Sequence, residues 1–313
     1  MTEPPLDAVI VGGGIAGLTA GLLCARAGRK TRVLAGPALG GHLLSIERID
    51  GYPGFPDGVP GYDLCPMVQE QAAGAGAEFD AAMVTGVAPH EGRWRVATAA
   101  GDLSTRTVIV ATGTTTKTLG IPGEERLRGK GVSHCASCDA PLMRGRIVAV
   151  VGGGDSALQE ALTLAAHVAS VIVLHRGTTL TAQTAYVQRV REHPKIDIRF
   201  STIVDEVLGN GGLTAVRTRD VSDGTHADLE LAGLFVYVGL APAAGWLNGL
   251  TDLDPSGRIA TDSALRCRNQ GLFAAGTVRA ASAGRAAAAA GDGATAAIAA
   301  ARYLRDGVWP SGS

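Results

Sequence analysis

Cys135 and Cys138 are separated by two residues, and Asp139 follows directly. Two thiols at that spacing can close and reopen a disulfide, and their surroundings can stabilise one of them as the thiolate. A glycine-rich run, Gly152-Gly153-Gly154-Asp155-Ser156-Ala157, follows shortly after, and another, Gly12-Gly13-Gly14-Ile15-Ala16-Gly17, opens the chain. Each has the spacing with which a strand, a tight turn and a helix start hold a pyrophosphate. Two dinucleotide sites and a dithiol in one polypeptide make a pathway for two electrons. The physical task this suggests is the passage of reducing equivalents between a nicotinamide, a flavin and a disulfide.

The C-x-x-C pair has competing readings. A structural zinc site needs four ligands, and the sequence offers no second pair, with His134 alone nearby. A structural disulfide suits a secreted framework, whereas five cysteines with one tight pair suit a reducing compartment and a redox-active pair. No metal is expected. Asp139 has two readings: a cap for the turn near Pro141, or a proton donor and acceptor for the leaving sulfur in thiol–disulfide exchange. Cys24, Cys65 and Cys267 read as small packing residues.

Other functions are disfavoured by composition. The 313 residues are 46% hydrophobic and 18% charged, enough for two ordinary domains with sizeable cores. A net charge of -1 gives no reason to expect nucleic acid or an anionic membrane as partner, and 4% aromatics provide no base-stacking platform. The first residues lack a basic segment followed by a cleavable apolar core. The alanine-rich stretch at 286–301 is broken by Gly291, Asp292 and Gly293, which argues against a membrane span. A cytoplasmic location is expected.

The elements that must position these groups follow from periodicity. Residues 8–11 form an apolar strand, the first glycine loop leads into a helix to about residue 27, and residues 31–34 form the next strand. The acidic residue usual at the end of that strand is replaced by Ala35, so a ribose contact must come from water or backbone. Residues 40–61 read as an ordered loop, and 108–113 as a strand running into a small-residue turn. Residues 147–151, the second glycine loop, a helix to about residue 167 and a strand at 171–174 repeat the βαβ unit. Ala157 stands where the last glycine would be. Further strands are expected at 196–200, 215–219, 233–238 and 271–276, before a closing helix. The fold class is α/β, with two Rossmann-like nucleotide-binding domains, the second inserted into the first.

Taken in order, these motifs resemble the low-molecular-weight thioredoxin reductases of the pyridine nucleotide-disulfide oxidoreductase superfamily. The resemblance runs from Asp7 to about Leu304 and includes Gly51-Tyr52-Pro53-Gly54, His134-Cys135-Ala136-Ser137-Cys138-Asp139 and Gly291-Asp292-Gly293. It implies an FAD domain at residues 1–116 and 246–313, and an NAD(P)H domain at 117–245 carrying the redox pair. FAD would contact Gly12, Gly14, Ile15, Ala16 and Gly17, then Gly40, Gly41, His42 and Val84. Ala111, Thr112 and Gly113 would complete its site with Gly276, Thr277, Arg285, Ala286 and Ala287. NADPH, with NADH as the alternative, would lie on Gly152, Gly154, Asp155, Ser156, Ala157, His175 and Arg176. The resemblance further implies a homodimer, domains that rotate about crossings near 117–119 and 241–245, and Cys135, Cys138 and Asp139 as the catalytic groups. Cys138 would face the flavin, and Cys135 would attack a thioredoxin-like protein or a small-molecule disulfide.

The match departs from the family at both cofactors. The arginine cluster that meets the 2′-phosphate of NADPH in the family is reduced to Arg176, with Gly177 and Thr181 at the other two positions. Each charge-assisted contact to phosphate contributes about 1.5–3 kcal/mol, so two losses weaken NADPH preference by orders of magnitude. Thr277 replaces the aspartate that meets the ribityl chain, Ala286 follows Arg285 where glutamine is usual, and His42 replaces a glutamine, as a polar contact or a proton relay. Alternative functions are a dithiol oxidase closing a small-molecule disulfide with oxygen, a disulfide reductase fed by a non-nicotinamide donor, and a flavin redox sensor without turnover.

Overall fold

The computed structural model describes residues 5–247 and 249–309, so the outermost residues of the expected first domain, 1–4 and 310–313, lie outside it. Contacts divide the chain into two units, one of residues 1–115 with 241–313, the other of residues 116–240.

The first unit is built on the strand Leu6–Val11, buried except for Asp7. It pairs in parallel with Thr31–Leu34 on one side and with Gly101–Val110 on the other. The long third strand does two jobs. Its last residues, Val108 to Val110, pair in parallel with Leu272–Ala274 from the far end of the chain. Its first half turns away into an antiparallel meander with Arg93–Thr98 and Val84–His90. Alternation sends Ala8 and Ile10 to one core, with Phe273 and the helices, and Val9 and Val11 to another, under the meander.

Two helices cover the first face. Ile15–Arg26 buries Leu18, Ala20 and Cys24. The closing helix Ala286–Asp306 lies against it, and a Cβ on Gly293 would stand 2.1 Å from the Ala16 carbonyl oxygen. Alanine and glycine are thus what this contact demands, and alanine is also the best helix former. Gly307, left-handed at φ 68°, ends the helix and donates its N–H to Tyr303 O.

The second unit has a five-stranded parallel sheet in the order Ile196–Arg199, Ser170–Leu174, Ile147–Val151, Gly233–Val236, Val132–Ser133. Val148, Val150, Val171 and Val173 face the helix Asp155–Ala165. Ala149, Val151, Ile172 and Leu174 face the other way, against the antiparallel ribbon Thr202–Leu208, Ala215–Asp220, His226–Glu230. Near its start, buried Glu124 accepts from Leu119 N–H at 2.9 Å and Gly120 N–H at 2.8 Å, which fixes the turn following the first crossing.

Several elements lack a clear sequence signal. Helix Gly61–Gly74 follows the expected loop and was not anticipated, since it carries Pro66 inside it and glycine at both ends. The strand expected at 108–113 begins at Gly101, because Ser104, Thr105, Arg106 and Thr107 hide it, and it ends at Val110. Helix Thr184–Glu192 buries only Val190.

Candidate active site

Cys135 and Cys138 are joined as a disulfide, with Cα atoms 5.4 Å apart. They lie on a single helical turn, Ala136–Asp139, of which Cys135 is the N-cap. The Cys138 N–H donates to Cys135 Sγ at 3.3 Å, so the disulfide sulfur plays the part that a serine or aspartate oxygen usually plays at this position. Ser133 Oγ accepts from Cys135 N–H at 3.0 Å. Cys138 is exposed and Cys135 half-buried. The Asp139 side chain makes no capping bond to the turn Ala140–Met143, so the capping reading of this carboxylate lacks a contact.

Behind the turn is a polar layer absent from the sequence-level expectations. The Tyr237 hydroxyl accepts from Ala136 N–H at 3.0 Å. Burial pushes the phenol far above its ordinary range, and the charges of Glu160 and Asp139 add to this. His134 sits with Nδ1 3.0 Å from the Val236 carbonyl oxygen, which makes Nδ1 the protonated nitrogen. Its Nε2 is buried with no hydrogen-bond partner.

The second glycine loop lies in the same unit. Gly152 has φ 145°, and a Cβ there would stand 2.4 Å from the Tyr237 carbonyl oxygen, so glycine is obligatory. Gly154 caps the helix Asp155–Ala165, which starts with Asp155, Ser156 and Ala157. Asp155 is engaged: its carboxylate accepts from Gln183 N–H at 2.7 Å and Gln183 Nε2 at 2.8 Å. Thr181, though exposed, is tied to the loop, its N–H donating to Gly153 O at 2.8 Å. The His175 ring lies over Gly153, with Nε2 2.9 Å from the Thr179 carbonyl oxygen. Arg176 is exposed. The segment that would meet a 2′-phosphate is therefore folded onto the loop by polar contacts and presents one exposed guanidinium.

In the first unit, Gly12 has φ 114°, and a Cβ would stand 2.3 Å from the Ala111 carbonyl oxygen. Gly14 caps the helix that begins at Ile15, Ala16 and Gly17, and nothing lies within 4 Å of where its Cβ would be. A buried strand end, a forced turn and open space at the helix start are what a pyrophosphate needs. Gly40 donates to Gly13 O at 2.8 Å, which sets Gly41 and His42 beside the loop. His42 is itself exposed there. Thr112 Oγ1 donates to Ala243 O at 2.8 Å, and Thr277 Oγ1 stands 3.4 Å from Thr114 Oγ1, next to Gly113. Val84 opens the meander strand Val84–His90, and Arg285 caps the closing helix ahead of Ala286 and Ala287.

Asp292, the centre of the Gly291-Asp292-Gly293 motif, joins two elements of this unit. Its carboxylate accepts from Gly276 N–H at 3.1 Å and forms a pair with Arg279 at 2.7 Å. It ties the turn containing Gly276 and Thr277 to the closing helix. Among the described residues, no group of three or more His, Cys, Asp and Glu is placed to hold a metal ion, and no helix is long and apolar enough to cross a membrane.

The family model of the pyridine nucleotide-disulphide oxidoreductases matches residues 6–301. The thioredoxin reductase of Treponema pallidum is 36% identical over 302 residues, covering 96% of this chain and 98% of that protein. That of Streptomyces coelicolor is 37% identical over 301 residues, covering 95% and 94%. The crystal structure of Lactococcus lactis thioredoxin reductase superposes with a TM-score of 0.94 at 35% identity, covering 96% of this chain and 99% of that one.

Proposed function

Because this chain belongs to the pyridine nucleotide-disulphide oxidoreductase family, we propose that it transfers electrons from NADPH to the disulfide of a thioredoxin-like partner. It is a flavin-dependent disulfide oxidoreductase of the thioredoxin reductase type. The observation that carries the proposal is the Cys135–Cys138 disulfide capping its own helical turn beside a dinucleotide loop. We assign FAD to the first unit, over Gly12, Gly14 and the turn at Gly276, and the nicotinamide nucleotide to Gly152, Gly154 and Arg176. When bound, FAD supplies the two-electron carrier between nicotinamide and disulfide.

The rest belongs to the protein's own groups. Once Cys135 and Cys138 are reduced, the Cys135 thiolate attacks one sulfur of the partner disulfide. A mixed disulfide forms, and the partner's other sulfur leaves and takes up a proton. The Cys138 thiolate then attacks Cys135 Sγ, releasing the partner's second thiolate and restoring the Cys135–Cys138 bond. Asp139 delivers and collects protons for the leaving sulfurs. The working form is a homodimer.

The test is direct. Purified protein is expected to be yellow, to be bleached by NADPH, and to reduce thioredoxin disulfide. Cys138→Ser keeps the colour and abolishes disulfide turnover. Failure to take up FAD refutes the proposal. The loss of arginine at Gly177 and Thr181 favours one competing reading, a dithiol oxidase acting on a small molecule. Flavin that no nicotinamide reduces, but that a dithiol reduces and oxygen reoxidises, would establish that reading instead.

A further inference from the structure

We infer that Tyr237 is a positioning residue for the attacking thiol: its phenol oxygen holds the Ala136 N–H, and this keeps the Cys138 N–H on Cys135 Sγ. The segment entering the dithiol is stitched to one strand and its continuation at three successive levels. Ser133 pairs with Phe235, the His134 ring donates to Val236 O at 3.0 Å, and Ala136 N–H donates to the Tyr237 hydroxyl at 3.0 Å. The last stitch is made by a side chain, and a substitution can remove it alone. Tyr237 is itself anchored, its N–H donating to Val151 O at 2.8 Å and its carbonyl lying against Gly152.

Ala136 is fully buried, so its N–H has no water to turn to. Without the phenol oxygen that donor is orphaned, and an orphaned buried donor drives the local backbone to find another acceptor. The contact that gives way is the Cys138 N–H on Cys135 Sγ, already at 3.3 Å. A thiolate that loses a charge-assisted donor becomes a stronger base. Cys138, His134 and Asp139 lie on the segment of Cys135 itself, and the charges that act on Tyr237 are those of Glu160, on the helix Asp155–Ala165, and Asp139. Tyr237 stays a neutral phenol, so Tyr237→Phe removes a hydrogen bond and leaves every charge in place. This separates its effect from that of the carboxylates. The importance of the thiol rests on the function proposed above, while its ionisation can be measured without turnover.

The protein is reduced with dithiothreitol, and the rate of Cys135 alkylation by iodoacetamide is followed against pH by peptide mass spectrometry. Tyr237→Phe is expected to raise the midpoint of that profile by about one pH unit, a roughly 10-fold loss of thiolate near neutrality. A midpoint within about 0.3 unit of wild type, even with a lowered melting temperature, would overturn the inference, because a merely structural role moves stability and not ionisation. Should the variant not fold, amide exchange on the wild-type protein decides. Slow exchange at Ala136 in both redox states is expected, and exchange as fast as in an exposed loop overturns the inference. Absence of nicotinamide-driven turnover in wild type would refute the proposed function and leave the alkylation profile readable.

Discussion

The five cysteines differ more in surroundings than in sequence. Cys24, Cys65 and Cys267 are buried, and burial pushes their thiols up to about 12, 11 and 12. At pH 8 their thiolate fraction is on the order of one in a thousand or less, and the thiolate is the reactive form. Alkylation of reduced native protein is therefore expected to modify Cys135 and Cys138 rapidly and the other three only after denaturation; fast labelling of a third cysteine contradicts this. The same shifts act on stability. Above the ordinary value of 9.0 an unfolded chain gives up protons that the folded chain retains, so stability falls as pH rises through this range. Cys24→Ala is expected to flatten that alkaline fall in urea denaturation. Asp139→Asn is expected to keep the flavin and slow thiol–disulfide exchange by about 10²–10⁴-fold in single-turnover kinetics; a rate within about twofold of wild type would leave the carboxylate without a catalytic role. The dithiol was legible because both sulfurs and the carboxylate fall within five consecutive residues. Tyr237 was not, because it meets Ala136 only when two distant segments lie side by side, and nothing in Tyr237-Val238-Gly239 announces that meeting.

Among the elements, the glycine turns and the buried parallel strands were readable, since a continuous apolar run followed by glycine has few other solutions. The meander strands Val84–His90 and Arg93–Thr98, the helix around Pro66 and the helix Thr184–Glu192 were not, because their exposed faces are polar and their hydrophobic faces thin. The most consequential join between elements is ionic. Arg279 and Asp292 have side chains only 16% and 12% exposed, and the pair locks the turn containing Gly276 to the closing helix. Asp292→Ala leaves a largely buried guanidinium and an unmet N–H, and is expected to cost about 3–5 kcal/mol in urea denaturation and to lower FAD occupancy. Asp292→Asn retains an acceptor for Gly276 and is expected to cost less. Equal losses for the two variants would mean that the bond to Gly276 contributes little.

At the scale of the molecule, a formal charge of -1 gives no global field to draw in a polyanionic nucleotide. On the assignment proposed above, discrimination between NADPH and NADH falls to the exposed Arg176, since Gly152 and Gly154 would serve the pyrophosphate common to both. An exposed ionic contact is modest and screened by salt. Stopped-flow reduction of the flavin is expected to favour NADPH by no more than about 10-fold, shrinking as salt rises; a thousandfold preference would require phosphate ligands elsewhere. The threading of the first unit also fixes an order of events during translation. Its sheet stays open along Val108 to Val110 until Leu272–Ala274 has been made, whereas the second unit comes from one uninterrupted stretch. A nascent chain therefore holds a finished inner unit while the outer one waits with an apolar edge uncovered, the state in which chaperones are recruited. Protease protection on stalled ribosomes should reach residues 116–240 before residues 1–115, and codon changes that slow synthesis between the two should lengthen chaperone dependence without altering the finished enzyme.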